Sequence, residues 1–292
     1  MKRITATLFT LLVVITPTWA DDKGDHEFEV RAGLVYSNAG AICQMDLFIP
    51  QGATAAVPCV LVIQGGGFRA QNGQKFKPFA EYLAAHGIAA ALIGYRGQPD
   101  HIYPATLADL RTATRFVRKI SAEHGIDPDQ IGAMGRSAGA TIAALLATSN
   151  FDEDGPREHA EYPSQIQAVV GISGVYDFIA RFEHDEQRAL QPNLDTKIIS
   201  NGAWIGSPYS IDDEHWRRAS PITHLDSTDP PMLLLHSRND GTVPWPQSRN
   251  MYRALIDAEI KAEIHLSESG GHGGPTDSKV RMVTFFQNVF SD

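Results

Sequence analysis

The sequence predicts an α/β protein with a mostly parallel, doubly wound sheet of about eight strands. From residue 57 onward, short continuous apolar runs alternate with amphipathic segments, which is typical of parallel strands covered by helices on both faces. Before them, residues 27–37 and 41–50 alternate apolar and polar side chains around a turn, which predicts an antiparallel hairpin at the sheet edge. The length suits a single domain, residues 21–292.

The elements after the hairpin follow from hydrophobic spacing. Continuous apolar runs predict buried strands at 57–64, 88–94, 131–134, 168–172, 232–236 and 260–266. Apolar residues at helical spacing predict helices at 76–86, 104–124, 140–147, 246–257 and 277–289. Gly87 and Gly125 stop the first two helices, as C-terminal caps do.

One long segment, about residues 177–221, breaks this alternation because it contains no clear strand. Its aromatic residues stand among charged ones, and a connection of this length is usually functional or carries helices of its own. We interpret it as a short lid insertion beside the active site. The alternative is a structural excursion that only covers the sheet edge.

The N-terminus is predicted to be an export signal, residues 1–20. Two basic residues precede an apolar stretch, 8–15, that is too short to span a bilayer, and two acidic residues follow Ala20. Cleavage after Ala20 would leave a secreted or periplasmic protein. No later stretch is apolar enough to predict a membrane span.

Composition excludes some function classes. The formal net charge of −9 argues against a nucleic-acid partner. The chain has two cysteines, Cys43 and Cys59, which do not have the spacing of a zinc site. Both lie in apolar, strand-like stretches, which favours core packing over the disulfide that export would permit.

The strongest motif is Gly-x-Ser-x-Gly at residues 135–139, between a predicted buried strand and a helix of small residues. A sharp turn there would raise the Ser137 hydroxyl above the sheet as a nucleophile. The two glycines permit the turn because a Cβ would crowd the backbone. An ordinary glycine-rich turn is the alternative, so Ser137 needs partners elsewhere in the chain.

Donors for an oxyanion are predicted in two places. Three glycines, 65–67, directly follow the buried strand 57–64, and their backbone N–H groups are free to face a ligand. The N–H groups of Gly66 and Gly67, with that of Ala138 after the nucleophile, form the expected oxyanion hole. The alternative for the glycines is a plain flexible turn.

A carboxylate and a base follow in order. Asp240 lies in the loop after strand 232–236, at the edge where ligands bind in open α/β sheets, although a turn aspartate is its alternative. His272 lies in a glycine-rich loop after the last strand, a poor place for packing and a good one for a base. Three rival histidines, two in strands and one ahead of a strand, are His236, His265 and His224. The order Ser, Asp, His supports Ser137, Asp240 and His272 as a catalytic triad.

These motifs together resemble the α/β-hydrolase superfamily, and the resemblance covers essentially the whole mature chain. Its segments are Gln-Gly-Gly-Gly-Phe at 64–68, Gly-Arg-Ser-Ala-Gly at 135–139, Asn-Asp-Gly-Thr-Val-Pro at 239–244 and Gly-His-Gly at 271–273. Further segments are similar to the esterase branch that includes bacterial acetyl xylan and feruloyl esterases: 94–96, Pro104 with Asp109, 127–128, 173–177 and 219–222. The resemblance implies a serine ester hydrolase that deacylates plant polysaccharides or other short-chain esters, with no cofactor and no metal.

One position departs from that branch, which usually has histidine where Gln64 stands. That residue braces the oxyanion loop, and an amide can also form the hydrogen bonds. Arg96 and Asp109 are interpreted as a structural ion pair. Candidate substrate contacts, each with core packing or another partner as its alternative, are Phe68, Arg136, Tyr176, Trp204, Trp216 and Trp245.

Three other functions stay open at this point. A prolyl-oligopeptidase-like peptidase would use the same triad, but such chains usually carry a propeller domain for which this sequence has no room. An arylformamidase-like amide hydrolase fits less well with an export signal. A non-catalytic binding protein would not need the complete triad.

Overall fold

The computed structural model describes residues 24–149 and 157–291. The predicted signal peptide, residues 1–20, lies outside them and stays a prediction. Among the described residues, no helix combines the length and the apolar character that crossing a membrane requires.

Eight strands form a single sheet in the order β1-β2-β4-β3-β5-β6-β7-β8. The strands are β1 (Phe28–Val35), β2 (Gln44–Pro50), β3 (Val57–Ile63), β4 (Ala89–Ile93), β5 (Ile126–Arg136), β6 (Ala168–Ile172), β7 (Met232–Ser237) and β8 (Ala262–Ser267). The β1–β2 and β2–β4 pairs are antiparallel, and every pair from β4 through β3 to β8 is parallel. The predicted fold class, including its antiparallel edge, is confirmed.

Helices cover both faces of the sheet. In the described chain they are α1 (Lys77–Ala85), α2 (Ala105–Ile120), α3 (Ala138–Thr148), α4 (Phe178–Glu183), α5 (Asp185–Ala189), α6 (Leu194–Ile205), α7 (Glu214–Arg218), α8 (Pro246–Asp257) and α9 (Ser278–Ser291). Leu61 and Ile63 of β3 belong to the core on one face, whereas Val60 and Val62 belong to the core on the other. This two-sided burial explains why the central strands are continuous apolar runs.

β5 is longer than predicted. It begins at Ile126 rather than at residue 131, because Ile126 pairs with Val57 of the neighbouring strand. The intervening residues 127–130 are three polar residues and a proline, partly exposed, so their hydrophobic pattern does not indicate a strand. At its carboxyl end β5 runs two residues beyond the predicted 134, to Arg136, and this end carries the Gly-x-Ser-x-Gly motif.

Segment 177–221 contains four short helices, α4 to α7. Their aromatic side chains extend the core on one face of the sheet, with Trp216 packed edge-on against Phe178, Phe182 and Tyr209. The segment is thus a packed helical layer, and its action as a lid stays a prediction.

Two buried polar features support the sheet. Cys43 and Cys59 are free, fully buried thiols, as core packing predicts, and burial raises the pKa of Cys43 to about 11 and that of Cys59 to about 12.

The Arg96 guanidinium forms an ion pair with Asp109 at 2.6 Å, and the Arg96 backbone N–H donates to the same carboxylate at 2.8 Å. This pair joins the loop after β4 to α2, which confirms its structural interpretation.

Candidate active site

Ser137 lies at the sharp turn between β5 and α3. Its φ of 57° is in the left-handed region that non-glycine residues rarely adopt, so the surrounding structure must hold the strain. A Cβ on Gly135 would lie 2.2 Å from the Gly139 carbonyl oxygen, and one on Gly139 would lie 2.2 Å from that of Ile63. Both glycines are therefore required by close backbone contacts, and they leave the serine hydroxyl at the carboxyl edge of the sheet.

The structure brings the three predicted catalytic residues together. His272 Nε2 lies 2.9 Å from Ser137 Oγ, and His272 Nδ1 lies 2.8 Å from Asp240 Oδ2. The Asp240 side chain is fully buried, whereas that of His272 is 31% exposed. Because the carboxylate accepts the Nδ1 proton, Nε2 is left to accept the proton of Ser137.

Asp240 is held by donors on both oxygens. Oδ1 accepts the backbone N–H groups of Thr242 at 2.8 Å and Val243 at 3.1 Å. Oδ2 faces His272 and also His236, whose Nε2 is 3.2 Å away. Burial raises the pKa of Asp240, but the hydrogen bonds from His236 and His272 outweigh it and hold the pKa well below its usual range. The Asp240 carboxylate is therefore ionised in the folded protein.

The oxyanion loop lies against the nucleophile turn. A Cβ on Gly65 would be 2.2 Å from the Arg136 carbonyl oxygen and 3.1 Å from Ser137 Cβ. Within the described chain, the N–H groups of Gly66 and Gly67 donate to no protein acceptor, and both glycines are exposed. Ala138 is the first residue of α3, where a helix leaves its N–H without an internal partner. Three backbone donors are thus available beside Ser137.

Gln64 braces this loop with its side-chain amide. Its Oε1 accepts the Lys75 N–H at 2.9 Å, its Nε2 donates to Gln71 Oε1, and Tyr95 donates to its backbone carbonyl. The side chain is buried, so these bonds exclude water. The amide therefore forms the kind of brace expected of the histidine that the resembled branch has here.

Four of the six predicted substrate contacts lie in the core of the protein. Tyr176, Trp204 and Trp216 are completely buried and Phe68 is 3% exposed, because Phe68 stacks on Trp204 at 4.0 Å and the others fill the core. These four side chains offer a substrate no surface in this structure, so the packing alternative replaces their interpretation as pocket walls. The sequence could not distinguish the two, since both use aromatic residues.

The remaining two candidates pair with neighbours. Trp245 is half-buried between the guanidinium groups of Arg238 at 4.4 Å and Arg249 at 5.0 Å. The Arg136 guanidinium lies 4.9 Å from the ring centre of Phe76, and burial lowers the pKa of Arg136. Within the described residues, Arg136 forms no ion pair with a carboxylate.

Sequence reasoning missed His236, which was set aside as a strand residue. It is completely buried, yet it contacts the same carboxylate as His272, the predicted catalytic base. Its position at the carboxyl end of β7, four residues before Asp240, was the available signal. Of the other rivals, His224 contacts the Arg218 carbonyl at 2.8 Å and His265 lies 4.0 Å from Asp277.

Comparison with known proteins gives a family. Residues 45–255, well over half of the chain, match the BD-FAE family. "Probable carboxylic ester hydrolase LipM" of Mycobacterium tuberculosis is 30% identical over 247 residues, which is 82% of this chain and 56% of that protein. "Esterase LipQ" of the same organism is 31% identical and is matched over 69% of this chain and 46% of its own length. The chain thus spans about half the length of these curated relatives.

Solved structures agree on the fold. A truncated carbohydrate esterase from gut microbiota superposes with a TM-score of 0.78 over 92% of this chain and 99% of that one, at 24% identity. A propionate-bound esterase of Thermogutta terrifontis gives a TM-score of 0.69 over 92% and 94% of the two chains, also at 24% identity. At such identities the likeness shows the fold alone. With the family match over residues 45–255, the chain belongs to the BD-FAE family and has the α/β-hydrolase fold.

Proposed function

We propose that the protein is a serine carboxylic-ester hydrolase that works through an acyl-enzyme. The observation that carries the proposal is the continuous hydrogen-bond chain from Ser137 through His272 to the buried Asp240. Relatives named as ester hydrolases support the same reaction class. No cofactor enters the scheme.

The proposed reaction has two symmetrical halves. His272 Nε2 takes the Ser137 proton as Oγ attacks the ester carbonyl, and the imidazolium that forms is stabilised by Asp240. The same Nε2 then protonates the leaving alcohol. In the second half, His272 takes a proton from water, the resulting hydroxide attacks the acyl-enzyme, and Ser137 leaves with the proton.

The negative charge of each tetrahedral intermediate would be held by the N–H groups of Gly66, Gly67 and Ala138. Their positions beside Ser137 support this role, and within residues 24–149 and 157–291 the first two have no protein acceptor. Loss of one such donor typically costs about 100-fold or more in rate.

For the substrate, we propose a small acyl group, acetyl rather than feruloyl, on a hydroxyl-rich alcohol such as a plant polysaccharide. A feruloyl ring would need an exposed aromatic or apolar wall, whereas Phe68, Tyr176 and Trp204 are buried in the core. The fold shared with a carbohydrate esterase agrees with this choice.

The test is a substrate panel with one variant. Wild type should hydrolyse 4-nitrophenyl acetate and acetylated xylan, and methyl ferulate and a Gly-Pro amide should be poor substrates. Ser137→Ala should fold normally and show neither burst nor turnover.

Each outcome has a distinct meaning. Retained turnover in Ser137→Ala contradicts the triad, and preferred cleavage of the amide makes the protein a peptidase. Export is proposed from residues 1–20 alone, and N-terminal sequencing of the mature protein should begin at Asp21.

A further inference from the structure

A second histidine contacts the proposed catalytic carboxylate from inside the fold. His236 is completely buried near the end of β7. Its Nε2 lies 3.1 Å from the Val243 carbonyl oxygen and 3.2 Å from Asp240 Oδ2, and its Nδ1 lies 2.7 Å from Ser248 Oγ. The contacts form a chain of Ser248, His236, Asp240, His272 and Ser137.

These contacts determine which nitrogen of His236 carries the proton. A backbone carbonyl and a carboxylate only accept hydrogen bonds, so Nε2 must donate, and its proton is shared between Val243 O and Asp240 Oδ2. Nδ1 is then the acceptor for the Ser248 hydroxyl, at the start of α8. With Ser248 as the partner of its Nδ1, His236 keeps on Nε2 the proton that points at Asp240.

The hydrogen bond that His236 donates to Asp240 is important because the nearby cations are engaged elsewhere or act from a distance. Besides His272, the cations that act on Asp240 are Arg181 of α4 and Lys197 of α6. Arg181 is already engaged, because it donates to Gln191 Oε1 at 2.7 Å and to Thr242 O at 2.8 Å. His236 is thus the side chain besides His272 that donates directly to the carboxylate in the described chain.

We propose that His236 is a positioning residue, which orients the Asp240 carboxylate and limits the negative charge that it presents to His272. The proposal rests on the triad proposed above. Without His236, Oδ2 would have one donor fewer, so the carboxylate would stabilise the His272 imidazolium more strongly and in a less defined geometry. His272 would then be held less firmly against Ser137.

The first test compares His236→Leu with His236→Gln, whose amide can place a donor near the position of Nε2. In His236→Leu, kcat for 4-nitrophenyl acetate should fall about 10- to 100-fold with little change in KM, as expected for a lost hydrogen bond to a charged group. The acid limb of the kcat/KM profile should move to higher pH, by about one unit. His236→Gln should recover most of kcat and the original limb.

A second variant keeps the proposal testable if His236→Leu folds poorly. Ser248→Ala removes only the hydroxyl that is the partner of His236 Nδ1, so it should lower kcat and move the acid limb in the same direction by a smaller amount. His265→Leu, on the neighbouring strand β8 and 33% exposed, is the matched control and should leave the limb in place.

The outcomes separate this proposal from the reaction itself. Turnover in Ser137→Ala would contradict the triad, whatever the His236 variants do. An inactive Ser137→Ala, together with an unshifted acid limb in both His236→Leu and Ser248→Ala, would overturn only the role of His236. A lower rate with an unshifted limb in folded His236→Leu would likewise reduce His236 to a packing residue.

Discussion

At the scale of single residues, the site depends on backbone held in place by side chains. Ser137 is strained at φ 57°, and Gly67 and Phe68 of the oxyanion loop also have positive φ, at 62° and 63°. For Ser137 and Phe68, which are not glycines, such conformations persist only where neighbouring contacts over-determine them. For the loop, an important contact is the buried Gln64 amide, which joins it to Gln71 and to the Lys75 backbone.

Gln64 gives a prediction at this scale. Gln64→Leu should lower kcat for 4-nitrophenyl acetate about 10-fold or more, because the oxyanion donors lose their brace while Ser137 and His272 stay in place. Gln64→His introduces the residue of the resembled branch and should retain most of kcat. Steady-state kinetics on both variants provide the measurement, and an unchanged kcat in Gln64→Leu would show that the glycines hold the loop without the amide.

At the scale of elements, α6 and the oxyanion loop behave as one packed unit. Gln98 Nε2 donates to Gly67 O at 2.5 Å and to Ser200 O at 3.1 Å, so one side chain bridges the loop and the helix. Trp204 of α6 stacks on Phe68, and its indole N–H donates to Thr106 Oγ1 at 3.3 Å. The helical layer therefore supports the loop whose donors we propose for the oxyanion.

Replacing Trp204 should affect stability and activity together. Trp204→Ala should lower the free energy of unfolding by about 3–5 kcal/mol, because it leaves a large cavity in the core. It should also lower kcat, since Phe68 loses its stacking partner next to the oxyanion glycines. Trp245→Ala is the matched control, because Trp245 is only half-buried and packs on arginines.

Chemical denaturation and ester kinetics check both effects. The control should lose clearly less stability than Trp204→Ala and keep the wild-type kcat for 4-nitrophenyl acetate. If Trp204→Ala were destabilised but fully active under native conditions, the layer would stabilise the fold without supporting the loop.

At the scale of the whole molecule, the parallel sheet gathers the site. The oxyanion glycines follow β3, Ser137 follows β5, Asp240 follows β7 and His272 follows β8. Parallel strands end at the same edge, so four loops distant in sequence meet there. The candidate site therefore exists only when the sheet is folded, and conditions that unfold the sheet should abolish the proposed ester hydrolysis.

Global stability should depend on pH through Asp229, which precedes β7. Burial raises the pKa of Asp229 to about 6, above the ordinary value of 3.8 that the unfolded chain would have. Between these values the folded state binds more protons than the unfolded state, so stability falls as pH rises through the window and stays lower above it. Asp229→Asn should therefore raise the melting temperature relative to wild type at pH 7–8, but not at pH 4.

Thermal unfolding followed by circular dichroism from pH 4 to 8 provides the measurement. The amide oxygen of the variant can still accept the Asp226 N–H, which Asp229 Oδ2 accepts at 2.9 Å. A constant difference between the two proteins across this range would rule out titration of Asp229 as its cause.

The hydrophobic pattern and the positions of glycines were sufficient to predict much of the fold and of the candidate site. The central strands, the helices that follow them and the order of Ser137, Asp240 and His272 could be predicted because each depends on residues adjacent in sequence. The pattern did not predict the start of β5, because residues 127–130 are three polar residues and a proline and their pairing depends on a distant strand. It also could not assign aromatic residues to the core or to a pocket.

The sequence by itself determined the fold class, the family and the candidate triad, since local periodicity and loop chemistry depend on residues that are adjacent in sequence. Only the tertiary structure decided that His236 shares Asp240 with His272, that Trp204 packs on Phe68 and that Arg136 lies on Phe76. These contacts join segments far apart in sequence, and they depend on strand register and on how the helical layer packs. Neither is encoded in any single stretch of residues.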